Sequence, residues 1–358
     1  MSSGRHFKEA EKSAPSAPDG NVRPGGARRR LRIVSRALIA ALAVVAVVGA
    51  GSAFAVSMMI KNGKLSMLDA QHQQAASTEA RVSFKGREYE RNEDIVAIAV
   101  LGFDRNGKGV EGGKAGQSDA NMVVAVDTKT GTISALSIPR DSMVPVDRYV
   151  DSAYLGQETQ QLCLAFSYGD GYQTSCERTV DAISRMLGGQ PISYYFAVDM
   201  NGIYRINDSV GGVTLVPLET IPRSHIVQGR ELTLLGQDAF DYLHYRDTSK
   251  MDSPLDRQRR EEQYLQAFAR KMLATAQKGD VTQFANLYRT ASEFSVTDLG
   301  LQEFMYLASV VVNNGVTSID TRSIQGTYRQ DGAYAEFYPD KDSVKQAVLD
   351  TFFTEVKE

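Results

Sequence analysis

Apolar and polar positions are ordered most clearly between residues 95 and 141. Residues 95–101 (IVAIAVL) are almost continuously apolar, the pattern of a strand covered on both faces. Two further β-type runs follow at 122–126 and 133–138. The polar stretch 127–131 between them ends in Gly131, which predicts a hairpin. Charged residues stand at the ends of these runs: Asp104, Asp119, Arg140 and Asp141. If the runs are neighbours in one sheet, with the first parallel to the third, those four charges meet at one edge. Open α/β sheets bind their ligands at such an edge. Pro139 ends the third run and fixes the direction in which Arg140 and Asp141 leave it.

Further along, 154–187 reads as helix in two pieces broken around 168–175, and 194–198 as a strand. A helix over 200–210 stops at Gly211 and Gly212, and a short strand follows at 213–216. Helices are expected at 236–245, with Arg246 just beyond, and from 256 to about 278. The remainder predicts two or three helices, strands at 318–324 and 334–338, and a closing helix at 342–355. Alternating strands and helices predict an α/β fold, a mixed central β-sheet with helices on both faces.

The beginning of the chain has a different texture. Residues 1–36 set Arg23, Arg28, Arg29, Arg30, Arg32 and Arg36 among Ser, Pro and Gly, a disordered basic arm by composition. Residues 37–60 carry no charge, and as a helix would span roughly 36 Å, enough to cross a bilayer. The crowding of arginines before this run predicts a single-pass transmembrane anchor with its N-terminus in the cytoplasm. A cleaved signal peptide is the rival, since Ala53, Phe54 and Ala55 resemble a cleavage site. The long preceding arm and the length of the run favour the anchor. Residues 61–93 then read as a polar extracytoplasmic linker or stalk, and 94–358 as the folded domain in the membrane-external space.

Net charge is −3, so nothing global attracts nucleic acid, and no nucleic-acid partner is expected. Cys163 and Cys176 are the two cysteines. Outside the membrane an even count is consistent with a disulfide, against two buried thiols as the plainer alternative. The glycine- and lysine-rich stretch 106–116 fails the P-loop pattern, because Lys108 and Ala115 stand where glycine and Ser/Thr are needed. No G-x-S-x-G elbow and no H-E-x-x-H occur. The remaining chemistry lies in Asp104, Asp119, Asp141, Arg140, Arg246, Arg257 and Arg260. Guanidinium forks suit phosphate, and Arg257 and Arg260, three apart, share a helix face. Carboxylates beside them suggest a hard cation such as Mg2+. Leu265, Phe268 and Met272 recur at helical spacing on the same helix, a stripe that reads first as core.

LGFD (101–104), QSDANM (117–122), SIPRD (137–141), NDSVGGV (207–213), LLGQDAFDYLHYRD (234–247) and DRQRREEQ (256–263) occur in that order. The chain thereby resembles the LytR-CpsA-Psr (LCP) proteins of Gram-positive cell envelopes over roughly 94–273, with a weaker match to about 355. The resemblance implies an LCP-type α/β/α sandwich. It also implies a magnesium-dependent, membrane-anchored transferase acting on a glycopolymer held by diphosphate on a polyprenyl lipid. The polymer passes to a sugar hydroxyl of peptidoglycan, and polyprenyl phosphate leaves. Asp104 and Asp119 match metal-binding positions; Arg140, Arg246 and Arg257 match diphosphate-binding arginines, with Arg260 a further phosphate-binding candidate. Arg140 and Asp141 form the expected catalytic pair, Asp141 orienting Arg140 or acting as a base. Part of the 265–272 stripe is implied to line a tunnel for the polyprenyl chain. The sequence departs from the family pattern at Gln117, His244 and Glu261, where Arg, Arg and Gln are usual. Lys108, Lys114 or Arg260 would have to compensate, or the head group differs, or catalysis is lost. Two alternatives therefore stand beside the transferase: a non-catalytic polyprenyl-lipid-binding scaffold or sensor, and a polyprenyl-diphosphate hydrolase.

Overall fold

A computed structural model describes residues 55–68, 79–104, 116–150, 152–247, 253–276, 278, 281–316, 318–329 and 334–356. The basic arm, all but the last residues of the 37–60 run, and Lys108 and Lys114 lie outside these residues. Among the described residues no helix is long and apolar enough to cross a membrane.

In chain order the elements begin with helix α1 (55–68), then β1 (Arg81–Phe84) and β2 (Arg87–Arg91). Strands β3 (Ile95–Asp104), β4 (Gln117–Asp127), β5 (Ile133–Ile138), β6 (Met143–Val150) and β7 (Ala153–Gln161) follow. Next come α2 (Leu164–Ser167), α3 (Gln173–Met186), β8 (Tyr194–Asp199) and α4 (Ile203–Ser209). Then come β9 (Val213–Leu215), β10 (Leu232–Leu234), α5 (Gln237–His244), α6 (Ser253–Ala276), α7 (Val281–Ser292) and β11 (Ser295–Thr297). The chain closes with α8 (Leu301–Asn313), β12 (Asp320–Ser323), β13 (Gly326–Arg329), β14 (Glu336–Pro339), α9 (Lys341–Phe352) and β15 (Phe353–Glu355).

The central sheet is mixed, in the order β11-β8-β3-β4-β5-β12. Strand β4 pairs antiparallel with both β3 and β5, so β3 and β5 run in the same direction; β8 and β12 join them in parallel. Alternation along β3 explains its apolar run. Ala97, Ala99, Leu101 and Phe103 face one core with α2, α3 and α9; Phe103 stacks on Phe166 at 5.0 Å. Val96 and Ile98 face a second core with α6 and α8. Both faces are covered, so no polar residue is tolerated in the middle of the strand.

Several elements differ from their sequence reading. Residues 81–91, read as stalk, form a hairpin that β15 extends to three strands. The expected helix at 342–355 therefore yields to a strand for its last three residues. Residues 154–161, read as helix, belong to β7, the second strand of the β6–β7 hairpin. Six of the nine β7 residues are exposed and none is buried, in a ribbon held by its partner, so there is no buried face to print a period of two on the sequence. Helix α1 is docked: Met67 is buried in the second core, and a Cβ on Gly63 would lie 2.1 Å from the Gln302 carbonyl oxygen. Neither cysteine is in a disulfide. Cys163 is instead engaged by an arginine, and Cys176 packs into the first core from α3.

Candidate functional site

The site begins at an irregularity between β3 and β4. Gly102 pairs with Ala120, but Phe103 pairs with Ser118, which leaves Asp119 as the extra residue of a β-bulge. A one-residue slip reverses which side chains face which side. Downstream, Met122, Val124 and Val126 face the cavity between sheet and helices. At the bulge Ser118 is wholly buried, while Asp119 joins the cavity wall and Gln117 reaches Arg140. Gly102 lets the strands close there: a Cβ would come within 2.9 Å of Met200 Sδ and 3.1 Å of Ala120 Cβ.

Strand β5 ends at Ile138, paired with Asn121, so continuing the register sets residue 140 across from 119. The side chains meet accordingly. Arg140 Nη1 donates to Asp119, and Nη2 donates to Gln117 Oε1 at 2.6 Å and to Cys163 Sγ at 3.3 Å. Nε lies 3.3 Å from Asp141 Oδ1. Cys163 secures both strand ends through its backbone, donating to the Arg140 carbonyl at 3.0 Å and accepting from Ser118 N at 3.3 Å. The expected bridge would remove this thiol from the arginine. Burial pushes the Cys163 thiol up to about 11 against the pull of Arg140, so it accepts as a neutral group. Burial works against the Arg140 charge, but the Asp119 and Asp141 carboxylates and the hydrogen bond to Cys163 outweigh it and the net direction is upward. Asp141 also accepts from Gln161 Nε2 at 3.2 Å. Burial raises its carboxyl, with Arg140, Arg257 and Arg246 opposing.

The opposite side of the mouth is built by α5 and α6. Arg257 lines the cavity, 12 % exposed, with Nε 3.4 Å from Glu261 Oε1 one turn on. That contact is an ion pair without hydrogen-bond geometry, and Glu261 Oε1 is left buried with no hydrogen-bond partner. Burial pushes the Glu261 carboxyl up to about 7, with Arg257 opposing and Asp119 adding to the rise. Arg246, exposed just past α5, lies in the field of Arg257, Arg140, Asp141 and Asp119; burial of part of its side chain lowers it. His244 stacks on Phe240 at 3.8 Å, with Nδ1 2.9 Å from the Phe240 carbonyl oxygen. Burial lowers its imidazole, which favours the neutral ring in the field of Asp119 and Asp104.

Arg260 does not join this set. It is 1 % exposed, donates from Nε to the Tyr242 carbonyl at 2.8 Å, and its other nitrogens donate to Glu219 and the Tyr245 carbonyl. Three residues along a helix is a rotation of about 300°, so Arg257 and Arg260 sit on neighbouring but distinct surfaces. The expectation that Arg260 binds phosphate is therefore corrected: its donors are consumed by the fold.

Behind the mouth lies a cavity of about 460 Å³. Its wall is apolar, with Ile98, Val124 and Phe196 on the sheet side and Leu265, Phe268 and Met272 on the helix side. The 265–272 stripe is thus a cavity wall. Asp119, Arg140, Asp141, Arg257, Glu261 and Tyr328 line the same cavity where it is charged. Tyr328 and the buried Asn121, whose Oδ1 has no hydrogen-bond partner, are lining residues that sequence reasoning did not single out. Asn121 was visible inside QSDANM; Tyr328 had no local signal, since it arrives from a distant hairpin.

Asp104 and Asp119 offer hard oxygens from adjacent strands, Asp104 pairing with Gln117 in the β3–β4 register. Among the described residues no group of three or more His, Cys, Asp or Glu could hold a metal ion by itself. Two carboxylates fit magnesium that shares its shell with phosphate and water, the usual arrangement for that ion.

A mixed sheet between helix layers bounds one wall of an apolar cavity whose lining also includes arginines and carboxylates. The chain belongs to the LytR_cpsA_psr family, whose model matches residues 57–351. It is similar to the Bacillus subtilis (strain 168) protein named polyisoprenyl-teichoic acid–peptidoglycan teichoic acid transferase TagV. The two are 26 % identical over 239 residues, 64 % of this chain and 57 % of TagV. The TagU transferase of the same organism is 25 % identical over 207 residues, 58 % of this chain and 60 % of TagU. The chain thus spans under two thirds of the length of these relatives. The fold matches the crystal structure of B. subtilis TagV with a TM-score of 0.58 at 24 % identity, over 72 % of this chain and 97 % of that one. It also matches a structure of TagT bound to LI-WTA, with a TM-score of 0.55 at 19 % identity, over 77 % of this chain and 96 % of that one.

Proposed function

We propose that the chain is a cell-wall glycopolymer transferase, moving a polymer from a polyprenyl-diphosphate carrier to a peptidoglycan hydroxyl. The observation that carries this reading is the joining of an apolar cavity to a mouth bearing Arg140, Arg257, Asp119 and Asp141. The apolar wall takes the polyprenyl chain, and the mouth takes the diphosphate. The names of the TagU and TagV relatives support the same reaction class.

In this reading Arg140 binds the diphosphate by exchanging its contacts with Asp119 and Gln117 for phosphate oxygens. Asp141 orients Arg140 through Nε and does not need to leave it. Arg257 and Arg246 complete the cationic side, with Arg246 the more exposed. Asp104 and Asp119 would hold magnesium, which supplies charge neutralisation on the departing phosphate when bound. The uncharged 37–60 run anchors the protein in the cell membrane, N-terminus in the cytoplasm, with residues 61–358 outside. The partners are then the lipid-linked glycopolymer, peptidoglycan and membrane lipid.

Neutral His244, neutral Gln117 and the carboxyl of Glu261 favour a second reading, a polyprenyl-lipid scaffold or sensor without catalysis, because the mouth carries few cations. Deleting the gene and rescuing with wild type or Arg140→Ala separates the two. Loss of one envelope glycopolymer, restored by wild type alone, supports the transferase. Rescue by Arg140→Ala supports the scaffold. Release of polyprenyl phosphate in water without an acceptor identifies a hydrolase.

A further inference from the structure

Strand β13 reaches the site from the C-terminal part of the chain. Of its four residues Tyr328 alone is turned inward; Gly326, Thr327 and Arg329 are exposed. Its partner across the hairpin is Phe337. The two rings are 4.9 Å apart, and Phe337 is 4 % exposed, so the tyrosine ring is held on a buried support. The support is fastened to the catalytic loop itself. Phe337 N donates to the Asp141 carbonyl at 2.9 Å, and Phe337 forms a parallel bridge with Ser142. Whatever fixes Arg140 and Asp141 therefore fixes Tyr328 as well.

Tyr328 lines the cavity together with Arg140, Asp141, Arg257 and Glu261. Among the described residues no hydrogen bond holds its hydroxyl. The hydroxyl is reached from the cavity and is not sealed away from solvent, so a ligand oxygen can take the place of water there. We propose that Tyr328 is a ligand-binding residue whose hydroxyl donates a hydrogen bond to a phosphate oxygen of the diphosphate, supplementing Arg140 and Arg257. This rests on the diphosphate-lipid reading of the site and names a residue within it. Burial, and then Asp141, raise the phenol above its ordinary range, which keeps the proton on the oxygen at neutral pH. The group therefore acts as a donor, and an anion between two arginines is its natural acceptor. The phenol adds a directed donor without adding charge, at a mouth where His244 and Gln117 are neutral.

The test is Tyr328→Phe, which keeps the ring on Phe337 and removes the hydroxyl alone. Three probes are titrated into the full chain in detergent: a polyprenyl diphosphate, the matching monophosphate and the matching alcohol. Thermal midpoints of variant and wild type are recorded alongside. The expected result is an unchanged midpoint, unchanged binding of the alcohol, and about tenfold or greater loss of affinity for the diphosphate. A smaller loss is expected for the monophosphate. Equal diphosphate affinity in Tyr328→Phe and wild type overturns the inference. So does an equal loss for alcohol and diphosphate, which assigns the residue to packing. If wild type binds the alcohol as tightly as the diphosphate, the diphosphate reading itself fails and the inference falls with it. That outcome is distinguishable because it appears without any mutation.

Discussion

Arg140 and Arg260 are both largely enclosed arginines with their nitrogens engaged, yet they belong to different parts of the protein. Arg140 donates to side chains, Asp119, Gln117 and Cys163, at the opening of a cavity. Arg260 donates to two main-chain carbonyls, Tyr242 and Tyr245, and to Glu219. The first of those carbonyls lies in the last turn of α5 and the second at its end, where helix carbonyls have no partner of their own. Arg260 therefore caps α5 from α6. Side-chain acceptors at a mouth can yield to a ligand; carbonyls that end a helix cannot be released without fraying it. In the proposed reading, the identity of the acceptor separates a ligand-binding arginine from a structural one better than burial or sequence spacing does.

The largest expected effect tests that distinction on the structural side. Arg260→Met keeps the bulk and removes the donors, leaving Glu219 and two carbonyls unpaired. Loss of one partner of a buried ion pair costs about 3–5 kcal/mol. Urea unfolding should show that loss as a lower midpoint at an unchanged slope. A variant as stable as wild type that fails to bind a polyprenyl diphosphate would place Arg260 in the site after all.

On the binding side, Arg140→Ala should reduce affinity for the diphosphate probe by about a hundredfold, the loss of two charge-assisted hydrogen bonds. Its effect on stability should stay below that of Arg260→Met, because Arg140 releases only side chains, which can turn toward water, whereas Arg260 also leaves two main-chain carbonyls at a helix end unpaired. Calorimetric titration and urea unfolding on the same samples measure both. Equal destabilisation by the two variants would erase the contrast.

The sequence carried the mouth better than the ribbons. The β3 run was legible because both its faces are buried, and the positions of Arg140, Asp141, Arg257 and the cavity stripe followed from it or from the quoted motifs. The bulge at Asp119 left no trace in hydropathy, although it decides where that carboxylate points. Strand β7 was missed because hairpin pairing holds it without a buried residue, whereas β1 and β6 carry an apolar alternation of only two residues each, Val82 and Phe84, and Val144 and Val146, too short to read as strands. The expected disulfide failed for a different reason. A cysteine count reports composition, whereas Cys163 is fixed by Arg140 and by backbone contacts to two strands. Tyr328 was out of reach, since β14 and the loop after Asp141 place it.

A third prediction separates the mouth from the cavity behind it. Ala308 lines the cavity from α8. Ala308→Phe fills space that an apolar chain would occupy, so affinity for a long polyprenyl diphosphate should fall about tenfold, the scale of a steric clash in a packed site. Affinity for a short-chain diphosphate should not change. If both probes lose equally, the cavity is not where the chain lies.

The last prediction concerns Glu261, the carboxyl one residue from Arg260 and one turn from Arg257. It is 14 % exposed, and Oε1 has the ion pair with Arg257 but no hydrogen-bond partner. Burial holds its carboxyl up to about 7, above its ordinary 4.5, with Asp119 adding to the rise and Arg257, Arg260 and Arg140 opposing it. The sign follows from proton binding. Between the ordinary glutamate range and about pH 7 the folded chain holds a proton that the unfolded chain has released. Stability contributed by the protonated carboxyl is therefore full below the ordinary range, falls as pH rises through the window, and is lost above about 7. The whole excursion is on the order of 3 kcal/mol or less. Glu261→Gln fits the same space with no charge to desolvate, so it should lack this slope and exceed wild type in stability at pH 8 while matching it near pH 5. Urea midpoints at the two values decide the matter. Parallel profiles for variant and wild type would mean that Arg257 keeps Glu261 ionised throughout, and that this part of the mouth carries a permanent negative charge.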